Sequence, residues 1–149
     1  MDILIQYPLD TDGFVRRQCP VCGAQFKWHD ESVNAEAEAI PEPPSYYCPL
    51  CGNPASTDEW LTDEQTRFRD RHVERATYQA VTGELSQMFR NSPGITYKAG
   101  RAPSAPPPLA EPDDMVIVAS PCHEHEPVKA PQEALSHLYC LICGAEFQA

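Results

Sequence analysis

Seven cysteines set the chemistry of this chain, and six of them fall in pairs three positions apart: Cys19/Cys22, Cys48/Cys51 and Cys140/Cys143. A glycine follows each pair, at Gly23, Gly52 and Gly144. Two thiols at this spacing ahead of a glycine make a tight turn whose sulfurs converge on one metal ion. Cys19, Cys22, Cys48 and Cys51 form C-x2-C, 25 intervening residues and C-x2-C, four soft thiolates suited to tetrahedral Zn²⁺. The seventh cysteine, Cys122, lies three positions before His125, and Cys140/Cys143 follow after 14 intervening residues. Spacing therefore predicts a second closed site of Cys122, His125, Cys140 and Cys143, with two Zn²⁺ per chain. His123 is the second choice, because neighbours in sequence reach one ion less easily than residues three apart.

Composition agrees with metal and excludes several other chemistries. An odd number of cysteines fits a disulfide framework poorly. The N-terminus has no basic region ahead of an apolar core and no apolar run reaches membrane-spanning length, so a reducing, cytoplasmic location is expected. Four protein ligands per site leave no open position for a reaction, and no Cys-His nucleophile pair or phosphate-binding glycine loop is present, so no enzyme is expected. A net charge of -11 opposes general nucleic-acid affinity, and two loaded sites of these ligands would not reverse it. Arg67, Arg69, Arg71 and Arg75 are interleaved with Asp70 and Glu74, as on a solvated helix face.

The elements that must position these ligands are short. Ile3 to Tyr7 reads as an edge strand ended by Pro8, and Asp10-Thr11-Asp12-Gly13 as a turn. Strands on either side of Cys19–Cys22 make a hairpin, with a comparable knuckle around Cys48–Cys51. Between them, segment 30–44 carries five acidic residues and three prolines and reads as a surface loop with a turn of helix near Ala35 to Ala39. A helix capped by Thr62 should run over 62–90, with Gly83 as its weak point and Phe68, Leu85, Met88 and Phe89 on a face free to meet a partner. Residues 91–114 read as an extended proline-rich linker. Strands over Met115 to Ala119 and near Val128-Lys129, then a turn or short helix, lead to the last knuckle.

Arg17-Gln18-Cys19-Pro20-Val21-Cys22-Gly23-Ala24-Gln25-Phe26 and Leu138-Tyr139-Cys140-Leu141-Ile142-Cys143-Gly144-Ala145-Glu146-Phe147 share Cys-x-x-Cys-Gly-Ala-x-Phe. They resemble the knuckles of the zinc-ribbon and treble-clef group. That resemblance implies two zinc-ribbon-like hairpin modules, and together with the long helix and the proline-rich linker read from the residues it leads to the expectation of a small metal-stabilised α+β chain with modules over 1–61 and 115–149. The group serves in transcription, translation and many protein assemblies. The functional expectation is a zinc-binding adaptor or scaffold subunit that contacts protein partners in a larger assembly. A nucleic-acid-associated ribbon using Arg16, Arg17, Lys27 and Trp28, or the helix arginines Arg67, Arg69, Arg71 and Arg75, is the alternative, and a thiol redox switch a weaker one.

Overall fold

The computed structural model describes residues 3–31 and 35–149; Ser32, Val33 and Asn34 of the expected acidic loop, and Met1 and Asp2, lie outside the described residues. Two compact units result, one of residues 7–63 with 110–149 and one of 64–109 with the stretch 3–6.

The first unit is built on an antiparallel sheet. Phe14–Gln18 (β1) and Gln25–His29 (β2) form the hairpin around Cys19–Cys22. Ala35–Glu38 forms a single helical turn (α1). Ser45–Tyr47 (β3) and Pro54–Ser56 (β4) flank Cys48–Cys51. Val116–Ser120 (β5) and His123–Ala130 (β6) flank Cys122. After a 3-10 turn at Gln132–Ala134, Leu138–Tyr139 (β7) and Glu146–Phe147 (β8) flank Cys140–Cys143.

The two expected ribbons are not separate. The main sheet runs β1-β2-β6-β5, with Lys27 opposite Lys129 and Trp28 opposite Val128 where one hairpin joins the other. A bare hairpin leaves unpaired backbone groups along its edges, and here β2 and β6 satisfy each other's. The core is shared as well. Phe26, Cys48 and Trp60 pack with Val118, Val128, Ala130, Leu138 and Leu141 in one buried cluster.

Side chains alternate across the sheet, and cross-strand partners share a face. Phe26, Trp28 and Val128 lie on the apolar face, where Phe26 meets Trp60 edge-on at 5.7 Å and Trp28 meets Tyr46 at 5.0 Å. Arg16, Lys27 and Lys129, paired in register across three strands, line the opposite face. Acids from two other segments neutralise that row. Asp10 reaches Lys27 and Lys129, and Asp12 reaches Lys129 at 2.7 Å. Glu111 and Asp114 reach both Arg16 and Lys27, and Thr11 N–H donates to Asp113 at 2.9 Å. The end of the expected linker is thus strapped to the sheet, because three cations on a covered face require counter-charges.

The second unit is a helix with a return arm. Asp63–Phe89 (α2) passes through Gly83 unbroken, 27 residues and about 40 Å long. The chain turns at 90–94 and runs back as the proline-rich segment, where Phe89 stacks on Tyr97 at 6.2 Å, the Tyr78 hydroxyl donates to the Gly100 carbonyl, and Arg71 donates to Ser104 Oγ at 3.0 Å. Pro103, Pro106 and Leu109 are half-buried at three-residue intervals, as an extended polyproline helix with one face covered would give. The edge strand expected over residues 3–7 is not formed, and Leu4 is exposed. A short apolar run makes a strand only where a neighbouring edge accepts the ladder.

Candidate metal centres

Three of the knuckles repeat one backbone pattern. The first cysteine's N–H donates to the carbonyl five residues on, from Cys19 to Ala24 (3.0 Å), Cys48 to Asn53 (3.0 Å) and Cys140 to Ala145 (2.9 Å). The glycine N–H returns to the cysteine carbonyl, from Gly23, Gly52 and Gly144 at 2.8–3.0 Å. All three glycines have φ between +75° and +78°, where a side chain is strained, which explains the glycine after each pair. The turn aims N–H groups at sulfur: Val21 and Cys22 donate to Cys19 Sγ at 3.3 and 3.4 Å, and Leu50 to Cys48 Sγ at 3.3 Å.

The structure brings Cys19, Cys22, Cys48 and Cys51 together, their sulfurs all within 4.8 Å of one another. Cys19 and Cys51 Sγ are 3.7 Å apart, and Cys22 and Cys48 Sγ 3.9 Å. A tetrahedral ion with metal–sulfur bonds of about 2.3 Å needs sulfurs about 3.8 Å apart, so the donors fit a four-coordinate ion. Cys19 and Cys48 are buried in the core, while Cys22 is exposed and Cys51 half-buried.

The second group is Cys122, His123, Cys140 and Cys143, again within 4.8 Å. Cys122 and Cys143 Sγ are 3.4 Å apart, and His123 Nδ1 lies 3.4 Å from Cys140 Sγ. The chemistry of this donor set also fits a single metal ion. His125, expected from spacing as the fourth donor, is not in the group. Its ring sits 5.7 Å from that of His123 and lines a cleft of about 560 Å³ with His29, Tyr46 and Glu126. The cause is the turn: β6 begins at His123, directly after Cys122, so the first strand residue already faces the site.

A signal for this was present in the sequence. Ser120-Pro121-Cys122-His123 aligns with Cys19-Pro20-Val21-Cys22, placing His123 where Cys22 stands and Ser120 where Cys19 stands. Ser120 is buried, donates from Oγ to Cys140 Sγ at 3.1 Å and accepts the His123 N–H at 3.2 Å. It shapes the site although it was not singled out as a candidate.

The thiols differ in acidity. Burial pushes the Cys140 thiol up, but hydrogen bonds from Ser120 and from the Cys143 and Ile142 N–H groups outweigh it and bring Cys140 down to about 7. Burial likewise opposes, and Asn53 with the neighbouring thiols outweighs, at Cys51, also brought down to about 7. Burial dominates at Cys48, whose thiol is raised. In each group one thiol, Cys51 or Cys140, is thus made more acidic than an ordinary cysteine, and an ion would displace the protons of its thiol ligands on binding.

The residues expected to meet a partner lie along α2. Met88 is 68% exposed, Leu85 and Phe68 are half-buried with Phe68 against His72 at 4.6 Å, and Phe89 is partly covered by Tyr97. Val73 and Val81 are exposed on the same helix. Among the described residues no helix is long and apolar enough to cross a membrane.

Fold and sites together define a small α+β protein with two cysteine-rich groups that can each hold a metal ion. No protein-family model matches the chain, and neither the curated proteins nor the solved structures yield a match.

Proposed function

We propose that this chain is a non-catalytic zinc protein that serves as an adaptor within a larger assembly. Zinc is the ion favoured by donor sets of four thiolates and of three thiolates with one imidazole. The observation that carries the reading is that each group offers four converging protein donors, which complete a tetrahedral shell and leave no position for substrate. The metals then act by holding short hairpins in one body, and the surface does the work. Val73, Val81 and Met88, exposed along a 27-residue helix, supply apolar area for a protein partner.

The nucleic-acid alternative loses support at two of its residues, Arg16 and Lys27. Arg16 and Lys27 are held by Glu111 and Asp114, and Lys27 also by Asp10, so their charge is compensated within the chain. Affinity capture of the tagged full-length chain from its native cells in high salt, with mass spectrometry and zinc analysis, tests the proposal. A stoichiometric protein partner lost on Met88→Asp or Val81→Asp is the expected result. Capture of nucleic acid that disappears with rising salt would favour the alternative instead.

A further inference from the structure

Two of the knuckles hold each other. The N–H of Tyr47, next before Cys48, donates to the carbonyl of Leu141, next after Cys140, at 2.8 Å. The N–H of Tyr139, next before Cys140, donates to the carbonyl of Pro49, next after Cys48, at 2.9 Å. The ring contacts are reciprocal too. A Cβ on Gly52 would stand 2.9 Å from Tyr139 Cδ1, and one on Gly144 would stand 2.7 Å from Tyr47 Cδ1. Each tyrosine therefore lies against the bare backbone of the other knuckle's glycine. Pro49 and Leu141, which supply the acceptors, are buried.

We propose that this clasp makes the two metal sites one coupled binding unit, in which loading either site raises the affinity of the other. The inference rests on the reading that both groups bind zinc. Every element of the clasp is one residue from the first ligand of its knuckle or is the glycine that closes it, so neither knuckle can take up its metal-bound shape without positioning its counterpart. An ion at Cys19, Cys22, Cys48 and Cys51 orders the 48–52 knuckle, which through Pro49 and Gly52 orders Tyr139 and hence Cys140 and Cys143. The second ion then meets ligands whose ordering entropy has already been lost, which is positive cooperativity. The expected coupling is about tenfold or more, within the 5- to 150-fold range usual between linked sites.

Gly23 supplies the control. It has the same left-handed backbone, φ +75°, but nothing within 4 Å of a Cβ built on it. Gly23→Ala strains its own knuckle without touching the clasp, whereas Gly52→Ala and Gly144→Ala insert a methyl group into it. The test is titration of the metal-free full chain with Zn²⁺ in a chelator buffer, with the zero-, one- and two-metal species counted by native mass spectrometry. Co²⁺ absorption spectra distinguish the four-thiolate site from the three-thiolate, one-imidazole site.

For the wild-type chain the one-metal species should fall below its statistical share. Gly144→Ala should weaken the four-cysteine site, none of whose ligands it neighbours in sequence, about tenfold, and should raise the one-metal population. Gly23→Ala should weaken only its own site and leave the coupling factor unchanged. Tyr139→Ala, which removes a ring without adding bulk, should repeat the loss of coupling where a glycine variant fails to fold. Two ions bound independently by the wild-type chain, or coupling retained in Gly144→Ala and Tyr139→Ala, would overturn the inference. Binding of no ion would overturn the zinc reading with it.

Discussion

Lys129 Nζ stands 2.7 Å from Asp10 Oδ2, across 119 positions of sequence, and both side chains are sealed from water. Asp10 also receives Lys27 at 3.1 Å and the N–H of Phe14 at 2.9 Å, so one carboxylate is counterion to the two lysines that face each other where β2 meets β6. Removing it takes from each buried lysine one of its counter-charges. Asp10→Ala should destabilise the metal-loaded protein by about 3 kcal/mol, the scale for breaking a buried pair, even though Asp12, Glu111 and Asp114 remain. Urea unfolding measures this, and a loss below about 0.5 kcal/mol, the scale of an ordinary surface substitution, would refute the role assigned to Asp10.

The same cluster sets a pH window. Burial raises the Asp10 carboxyl, but the hydrogen bonds from Lys129, Phe14 N–H and Lys27 outweigh it, and Asp10 is held well below the usual carboxylate range. Its contribution is therefore present above the ordinary value of 3.8 and lost as pH falls through the lower folded value. Burial lowers Lys27 and Lys129, but their carboxylate partners outweigh it and raise both, so their contribution is present below 10.5 and lost as pH rises beyond it. The stability difference between wild type and Asp10→Ala should stay flat from about pH 5 to about pH 9 and shrink toward acid. A difference that grows on acidification would reverse the assigned sign.

His123→Ala should lose the ion of the three-cysteine site, while His125→Ala should retain two ions per chain. Metal counting on the purified variants separates the two histidines. Loss of an ion from His125→Ala alone would return the ligand to the position that spacing favoured.

Chelation should unfold the sheet unit rather than merely vacate it, because Cys48 and Cys140 are part of the buried interior and the β3-β4 and β7-β8 hairpins have only three and two residues per strand. Trp28 and Trp60, packed 6.2 Å apart, report on this. Their fluorescence should shift to longer wavelength on metal removal and recover when Zn²⁺ is restored. An unchanged spectrum in the metal-free chain would show that the core stands without its ions.

Much of this protein is determined locally and was therefore legible in the chain. Cys-x-x-Cys-Gly dictates a knuckle wherever it occurs, since the glycine conformation and the N–H to sulfur geometry close within six residues, and all three such knuckles form. The helix Asp63–Phe89 forms where the sequence predicts one over 62–90, and the single Gly83 costs only about 1 kcal/mol, too little to break 27 residues. Tertiary structure decided what depends on partners distant in sequence. Nothing near Lys27 in the chain announces Lys129, and no local pattern says that two hairpins will share an edge, a core and a pair of tyrosine clasps. The placement of His123 rather than His125 beside the three cysteines belongs to the same class, because it turns on where β6 begins after Cys122. Ligand types and knuckles are written in short-range sterics, whereas the joining of two sites into one body depends on edge pairing and charge neutralisation across 100 residues.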